Sequence, residues 1–194
     1  MRALLRYMMC ITAAAALSAS CGGGPTPVPL PAAYPRIDVA DSIYRAVAAS
    51  LPVHFEVNTA ASVSTDSVGA DGTVWLTVSY PSYRSTLYLT FTPVADDAEA
   101  QAVTDNRRER MALNTSGATT MLISLHSPGG FDSEIAVTPA GSATPVQLLS
   151  AGNGYIVSGA CFLEAAATAD PDSVSPIVIA LRADLIQAAK TISR

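Results

Sequence analysis

The chain predicts an α+β domain: a mainly antiparallel sheet of about six to seven strands with helices packed on it. Three observations carry this. Residues 74–80 and 87–91 each alternate apolar and polar side chains, and only a short Pro81-Ser82-Tyr83-Arg84 turn separates them. From residue 119 onward, short strand-like runs recur between Gly- and Pro-marked turns. Two stretches, one in the middle and one at the C-terminal end, carry helix start signals.

Taken in order, the domain body opens near Tyr34. Val53, Phe55 and Val57 alternate with His54, Glu56 and Asn58, a half-buried strand. Residues 58–72 are rich in Ser, Thr, Asp and Gly and read as a loop. Val74, Leu76, Val78 and Tyr80 point one way in the second strand, with Thr73, Trp75, Thr77 and Ser79 opposite. Leu87, Leu89 and Phe91 repeat the pattern in a third strand, against Thr86, Tyr88, Thr90 and Thr92. A helix fits 96–113. Asp96, Asp97 and Glu99 lie at its start and Arg107, Arg108 and Arg110 toward its end, an order that complements the helix dipole. Its apolar stripe is weak (Ala98, Ala102, Met111), which predicts a surface helix.

Four more strands follow, at 119–126, 134–138, 145–149 and 155–164. The turns carry Pro128-Gly129-Gly130, Ala140-Gly141-Ser142 and Gly152-Asn153-Gly154. The last strand is largely apolar on both faces, which predicts a central strand buried on both sides. In the final helix Ser175 is read as the cap, Pro176 as first-turn residue and Val174 with Ile179 as a hydrophobic staple. Val178, Leu181, Leu185, Ala188 and Ile192 form its buried stripe, with Arg182, Asp184, Gln187 and Lys190 mostly off it. The element order resembles the PsbP/Mog1 sandwich, a likeness of order alone.

Ahead of the domain lies a leader. Arg2 and Arg6 precede an apolar run at 11–17, then Leu17-Ser18-Ala19-Ser20-Cys21. That order reads as a secretory signal peptide over 1–20, too short to remain as a spanning helix. A cysteine directly after the small residues makes it a lipoprotein signal, with Cys21 lipidated and the leader cut before it. Each buried lipid methylene contributes about 0.8 kcal/mol, so several acyl chains on one cysteine form a lasting anchor. Residues 21–35 are then the lipidated cysteine and its tether. Three glycines follow Cys21, then Pro25, Pro27, Pro29 and Pro31 impose an extended rod of about 35–40 Å. Residues 36–194 form a single domain. No charge follows Cys21 closely, which favours the periplasmic face of the outer membrane.

Composition excludes several classes. Losing Arg2 and Arg6 with the leader takes the basic count from 11 to 9 against 16 acids, a net charge of −7. Such a surface repels nucleic acid and anionic headgroups. No apolar run after Cys21 reaches bilayer length. Cys161 is the one unmodified cysteine left, so no intrachain disulfide forms. With His54 and His126 it makes too small a set for structural zinc. No cofactor is expected.

An enzyme would use Cys161 with one of the two histidines. Cys161 sits mid-strand among small and apolar residues, which fits an inert core thiol. His54 lies on the polar strand face and His126 begins a Ser-Pro-Gly-Gly turn, while Ser127 lacks a nucleophile elbow. The chain reads as non-enzymatic. Two features hint at binding instead. Trp75 and Tyr88 stand on the threonine-rich faces of neighbouring strands, suited either to a protein interface or to a covering helix. Arg107, Arg108 and Arg110 form the one basic cluster on an acidic chain. Tyr34 and Arg36, at the tether junction, complete the candidate partner surface.

From Tyr34 onward the order of motifs resembles the gliding-motility lipoprotein GldD family of Bacteroidota. The carrying segments are YPRID at 34–38, HFEV at 54–57, WLTVSYPSYRSTLYLTF at 75–91, YIVSGACFLEA at 155–165 and DSVSPIV at 172–178. The resemblance implies a cell-envelope lipoprotein of the gliding machinery, which shares parts with type IX secretion. It implies other envelope proteins as partners, and it brings no catalytic residues. A small-ligand-binding or chaperone-like periplasmic module is the alternative, and an enclosed apolar pocket of about 300 Å3 or more would favour it.

Overall fold

The computed structural model describes residues 38–47, 50–115, 117–139, 142–164 and 171–194. Cys21, Tyr34 and Arg36 lie outside them, as do the expected signal peptide over 1–20 and tether over 21–35. The region from Pro35 to Arg194 forms one compact unit.

Its elements are β1 (Tyr44–Ala46), β2 (Glu56–Asn58), β3 (Ser62–Val68), β4 (Val74–Tyr80), β5 (Ser85–Pro93), α1 (Asp97–Asn114), β6 (Met121–His126), β7 (Asp132–Val137), β8 (Val146–Gly152), β9 (Tyr155–Leu163) and α2 (Pro171–Thr191). β1 and β2 pair as a ribbon. The other seven strands form one sheet in the order β3-β4-β5-β9-β8-β7-β6, and every pair is antiparallel. The fold is α+β with helices packed against the sheet, as the sequence predicts.

β9 is the middle strand of seven, flanked by β5 and β8. One sheet face carries the main core. Leu76, Val78, Leu87, Leu89, Phe91, Val157, Cys161 and Leu148 are all buried there. The α2 stripe of Val178, Leu181, Leu185, Ala188 and Ile192 is buried in the same core. The ribbon seals it from one side through Val53, Phe55 and Val57, with Phe55 and Phe91 ring centroids 6.0 Å apart. α1 lies on the opposite face, over β8 and β9. Beneath it Leu149, Ile156 and Gln147 are buried.

Four sequence expectations need correction. The alternation at 53–57 is real, but these residues do not join the main sheet. His54 bridges to Ser193, and only Glu56–Asn58 is strand, paired with β1. The presumed loop at 58–72 holds β3, an edge strand exposed at nearly every position. Its Ser/Thr/Asp composition hid it, because an edge strand with no buried face needs no apolar alternation. A bulge between Thr65 and Ser67 and the Thr77 hydroxyl donated to Asp66 at 2.5 Å mark this edge.

α2 begins at Pro171, so Ser175 is not its cap and Pro176 lies inside it. Ile179 is 54 % exposed while Val174 is buried, so no staple forms. Asp184, placed off the stripe by helical spacing, is also buried, because the ribbon covers that side of α2. Asp96, read as a first-turn acid, is the N-cap of α1: it accepts from Glu99 N, and Glu99 Oε2 accepts from Ala95 N at 2.7 Å.

Candidate functional site

The α1 face of the sheet is covered over only half its width. α1 occupies the β8/β9 side. Among the described residues no helix lies over β4 and β5, and there Trp75 is 39 % and Tyr88 55 % exposed. A third aromatic joins them. Phe162 of β9 is 50 % exposed on the same face. This corrects the expectation that β9 is buried on both sides: Ile156 is covered at one end of the strand and Phe162 is open at the other.

Register explains the arrangement. Trp75 pairs with Thr90 and Thr77 with Tyr88. Tyr88 pairs with Ala160 and Thr86 with Phe162. Each ring is therefore displaced two residues from the last as the sheet is crossed, always in the same direction. Diagonal neighbours of this kind stand ~7–8 Å apart, within reach of aromatic side chains. The result is an oblique aromatic row across three strands, bordered by Thr77, Thr86, Thr90 and Ser158. Trp75 lies against Gly69, where an added Cβ would come within 3.2 Å of the indole. Beyond Phe162 a groove of about 610 Å3 continues the row, with Arg84 and Glu164 on its walls. Sequence reasoning found Trp75 and Tyr88 but missed Phe162, because its place in the row depends on the β5–β9 register.

The arginine cluster is not a free basic patch. Arg108 donates Nη2 to Glu134 Oε1 at 2.7 Å and Nε to Glu134 Oε2 at 3.1 Å, and its Nη1 lies 3.4 Å from Asp105. The bidentate contact ties α1 to β7. Burial, and then the charge of Arg110, push the half-buried Arg107 below the ordinary guanidinium value. None of the three lies in the last turn of α1, so their interaction with its dipole is weak. Arg110 is left exposed.

Cys161 is fully buried, and burial pushes its thiol far above the range in which a thiolate forms. His126 ends β6 rather than lying in the turn, and pairs at the surface with Asp132 at 2.7 Å. Ser127 is buried, donates to Ile192 O at 2.8 Å and accepts from Phe131 N at 3.1 Å. These bonds fix the β6–β7 turn against the end of α2. Among the described residues no cluster of three or more His, Cys, Asp or Glu is placed to hold a metal.

A separate cleft of about 510 Å3 lies between the segment before β1 and α2. Asp184, Asn58 and Tyr83 line it together with Val39, Pro176 and Ile179. Asp184 Oδ1 accepts from Tyr44 Oη at 3.1 Å and from Asn58 Nδ2 at 3.3 Å.

Residues 24–193 match the family model described as gliding motility lipoprotein GldD. The chain belongs to the GldD lipoprotein family. The match covers almost all of the chain that follows Cys21, including every strand of the sheet. No curated protein and no solved structure matches the chain. As a GldD-family member it is a gliding-motility-associated lipoprotein, and its family is not described as an enzyme family. Family membership points to a lipid-anchored place in the cell envelope. No helix among the described residues is long and apolar enough to cross a membrane.

Proposed function

We infer that this protein is a non-enzymatic structural or assembly component of gliding-motility or type IX secretion machinery. Cys21 is its lipidated residue, and the periplasmic face of the outer membrane is its site. It works by holding another envelope protein. The single observation that carries this reading is the oblique row of Trp75, Tyr88 and Phe162, three large rings left in water on a face that α1 half covers. Interface anchors are enriched in such aromatics, and their truncation costs a complex ~2 kcal/mol or more. The surrounding threonines and serines keep the face soluble in the unbound state. Tyr34, Arg36 and the exposed Arg110 are further candidates for partner contacts.

The test is a crosslinked pull-down from membranes of the native host. Wild-type protein should recover envelope partners. The double variant Trp75→Ala, Tyr88→Ala should lose them while still fractionating with the membrane and melting near the wild-type temperature. Recovery of the same partners by the variant would move the working surface elsewhere.

A further inference from the structure

We propose that the cleft between Val39–Ser42 and α2 binds a small organic amine, with its ammonium on Asp184 and its carbon chain along Val39, Pro176 and Ile179. This site is on the opposite side of the sheet from the aromatic row and does not depend on the partner reading.

The argument starts with Asp184. Its side chain is buried, with only 6 % of the residue exposed. A buried carboxylate needs either a countercharge or a proton. Both groups described on it are donors, the Tyr44 hydroxyl and the Asn58 amide, and both reach the same oxygen, Oδ1. An environment of donors suits an ionised acceptor.

Asn58 cannot turn to change this. Its Nδ2 also donates to Asp41 O at 3.0 Å, and its Oδ1 accepts from Ala60 N at 2.9 Å. The amide is thereby locked with its N–H groups toward Asp184 and Asp41. A carboxylate has about four acceptor sites, and the described bonds use two of them on Oδ1. Among the described residues no arginine or lysine lines the cleft, and a cation is the partner that would complete the carboxylate.

The walls decide what kind of cation. Around the carboxylate stand Val39, Ala40, Pro176, Ile179, Ala180 and Ala183. Val39 is 50 % and Ile179 54 % exposed, so the mouth of the cleft presents apolar side chains to water. A hydrated inorganic ion gains nothing from such walls, whereas an alkyl chain does. A cleft of about 510 Å3 falls within the range of small-molecule sites, mostly apolar with a few convergent polar groups. That Asp184 titrates above the ordinary carboxylate range, chiefly through burial, fits a group awaiting a countercharge.

The experiment titrates the full-length protein in lipid nanodiscs with n-pentylamine hydrochloride. Pentan-1-ol and sodium pentanoate serve as neutral and anionic isosteres, and the Val39 and Ile179 methyl groups are followed by NMR. The amine should shift both methyl signals saturably, with an apparent affinity at least tenfold above either isostere. Asp184→Asn should remove that preference. Ile179→Arg keeps the core intact because residue 179 is exposed, and its guanidinium, placed at the mouth, should weaken amine binding tenfold or more. Non-saturable shifts, equal titrations by amine and alcohol, or an unchanged amine affinity in Ile179→Arg would each overturn the proposal.

Discussion

Gln147 of β8 is clasped by the last turn of α1: Asn114 Nδ2 donates to its Oε1 at 3.1 Å, and its own Nε2 donates to Met111 O at 3.3 Å. The side chain is 1 % exposed, so it satisfies a helix-end carbonyl away from water. Gln147→Ala should destabilise the domain by about 1–3 kcal/mol, because it strands Asn114 and the Met111 carbonyl. Amide exchange along 108–115 should quicken beyond the global change. Exchange unaltered in that stretch would mean that the Arg108–Glu134 contact alone seats the helix.

Truncating the aromatic row should separate binding from folding. Trp75 and Tyr88 are both exposed, so Trp75→Ala with Tyr88→Ala should change stability by no more than about 1 kcal/mol per site. A thermal melt beside the pull-down checks this. A fall of many degrees would show that the rings belong to packed structure, since two core aromatics contribute several kcal/mol. Adding Phe162→Ala should deepen the loss of partner, because the row extends to β9.

Cys161 is a core thiol. Cys161→Ala should cost about 1–2 kcal/mol from lost burial and a small cavity, with cellular function retained. Cys161→Ser should cost more, since a hydroxyl replaces a fully buried sulfur among apolar neighbours. A bulky maleimide should label the native thiol only as fast as the domain opens. Labelling within minutes under native conditions would contradict this placement.

Asp184 gives the stability a pH dependence of defined sign. Burial raises its folded-state pKa, against smaller lowering effects of the hydrogen bonds from Asn58 and Tyr44. The folded state therefore holds this proton more tightly than the unfolded chain does. Its contribution is fully present below the unfolded value, about pH 4, and is lost as pH rises through the folded value. Urea midpoints of wild type, measured relative to Asp184→Asn, should decline as pH rises from about 4. A difference that stays flat or grows with pH would show the carboxylate to be stabilised by its surroundings.

Cys21→Ala should abolish membrane attachment. On the proposed lipidation of Cys21, the lipid would supply nearly all the membrane affinity of an otherwise acidic chain. The variant should be recovered as soluble protein or as uncleaved precursor. Detergent-phase partitioning at wild-type levels with the leader removed would refute lipidation at this residue.

Where burial is one-sided, the sequence announces its structure. β4 and β5 alternate cleanly because one face meets the core, and β4, Val74–Tyr80, lies within one residue of its predicted limits, 73–80. The α2 stripe was legible for the same reason. β3 was not, because neither of its faces is buried and its residues are those of a loop. Phe162 and Asp184 failed in opposite directions. Phe162 looked buried in an apolar strand but lies beyond the reach of α1. Asp184 looked exposed on a polar helix flank but lies under the ribbon. Both depend on what a distant segment covers, which spacing within one element does not encode. The ribbon itself was invisible beforehand, since β1 has three residues and its register with β2 is set by tertiary contacts.

The ribbon's anchorage bears on how the chain is delivered. His54 and Ser193 exchange two backbone hydrogen bonds, at 2.8 and 2.9 Å. Glu56 N donates to Thr191 Oγ1 at 3.0 Å, and Gln187 Nε2 donates to Glu56 Oε2 at 2.8 Å. The segment 54–56 thus finds its partners among residues 187–193. Contacts so distant in sequence form late. A precursor threaded across a membrane with its N-terminus leading would hold its opening segment unfinished until residue 193 had followed. Such an export would run on an open thread, and the domain would shut only once residue 193 had crossed.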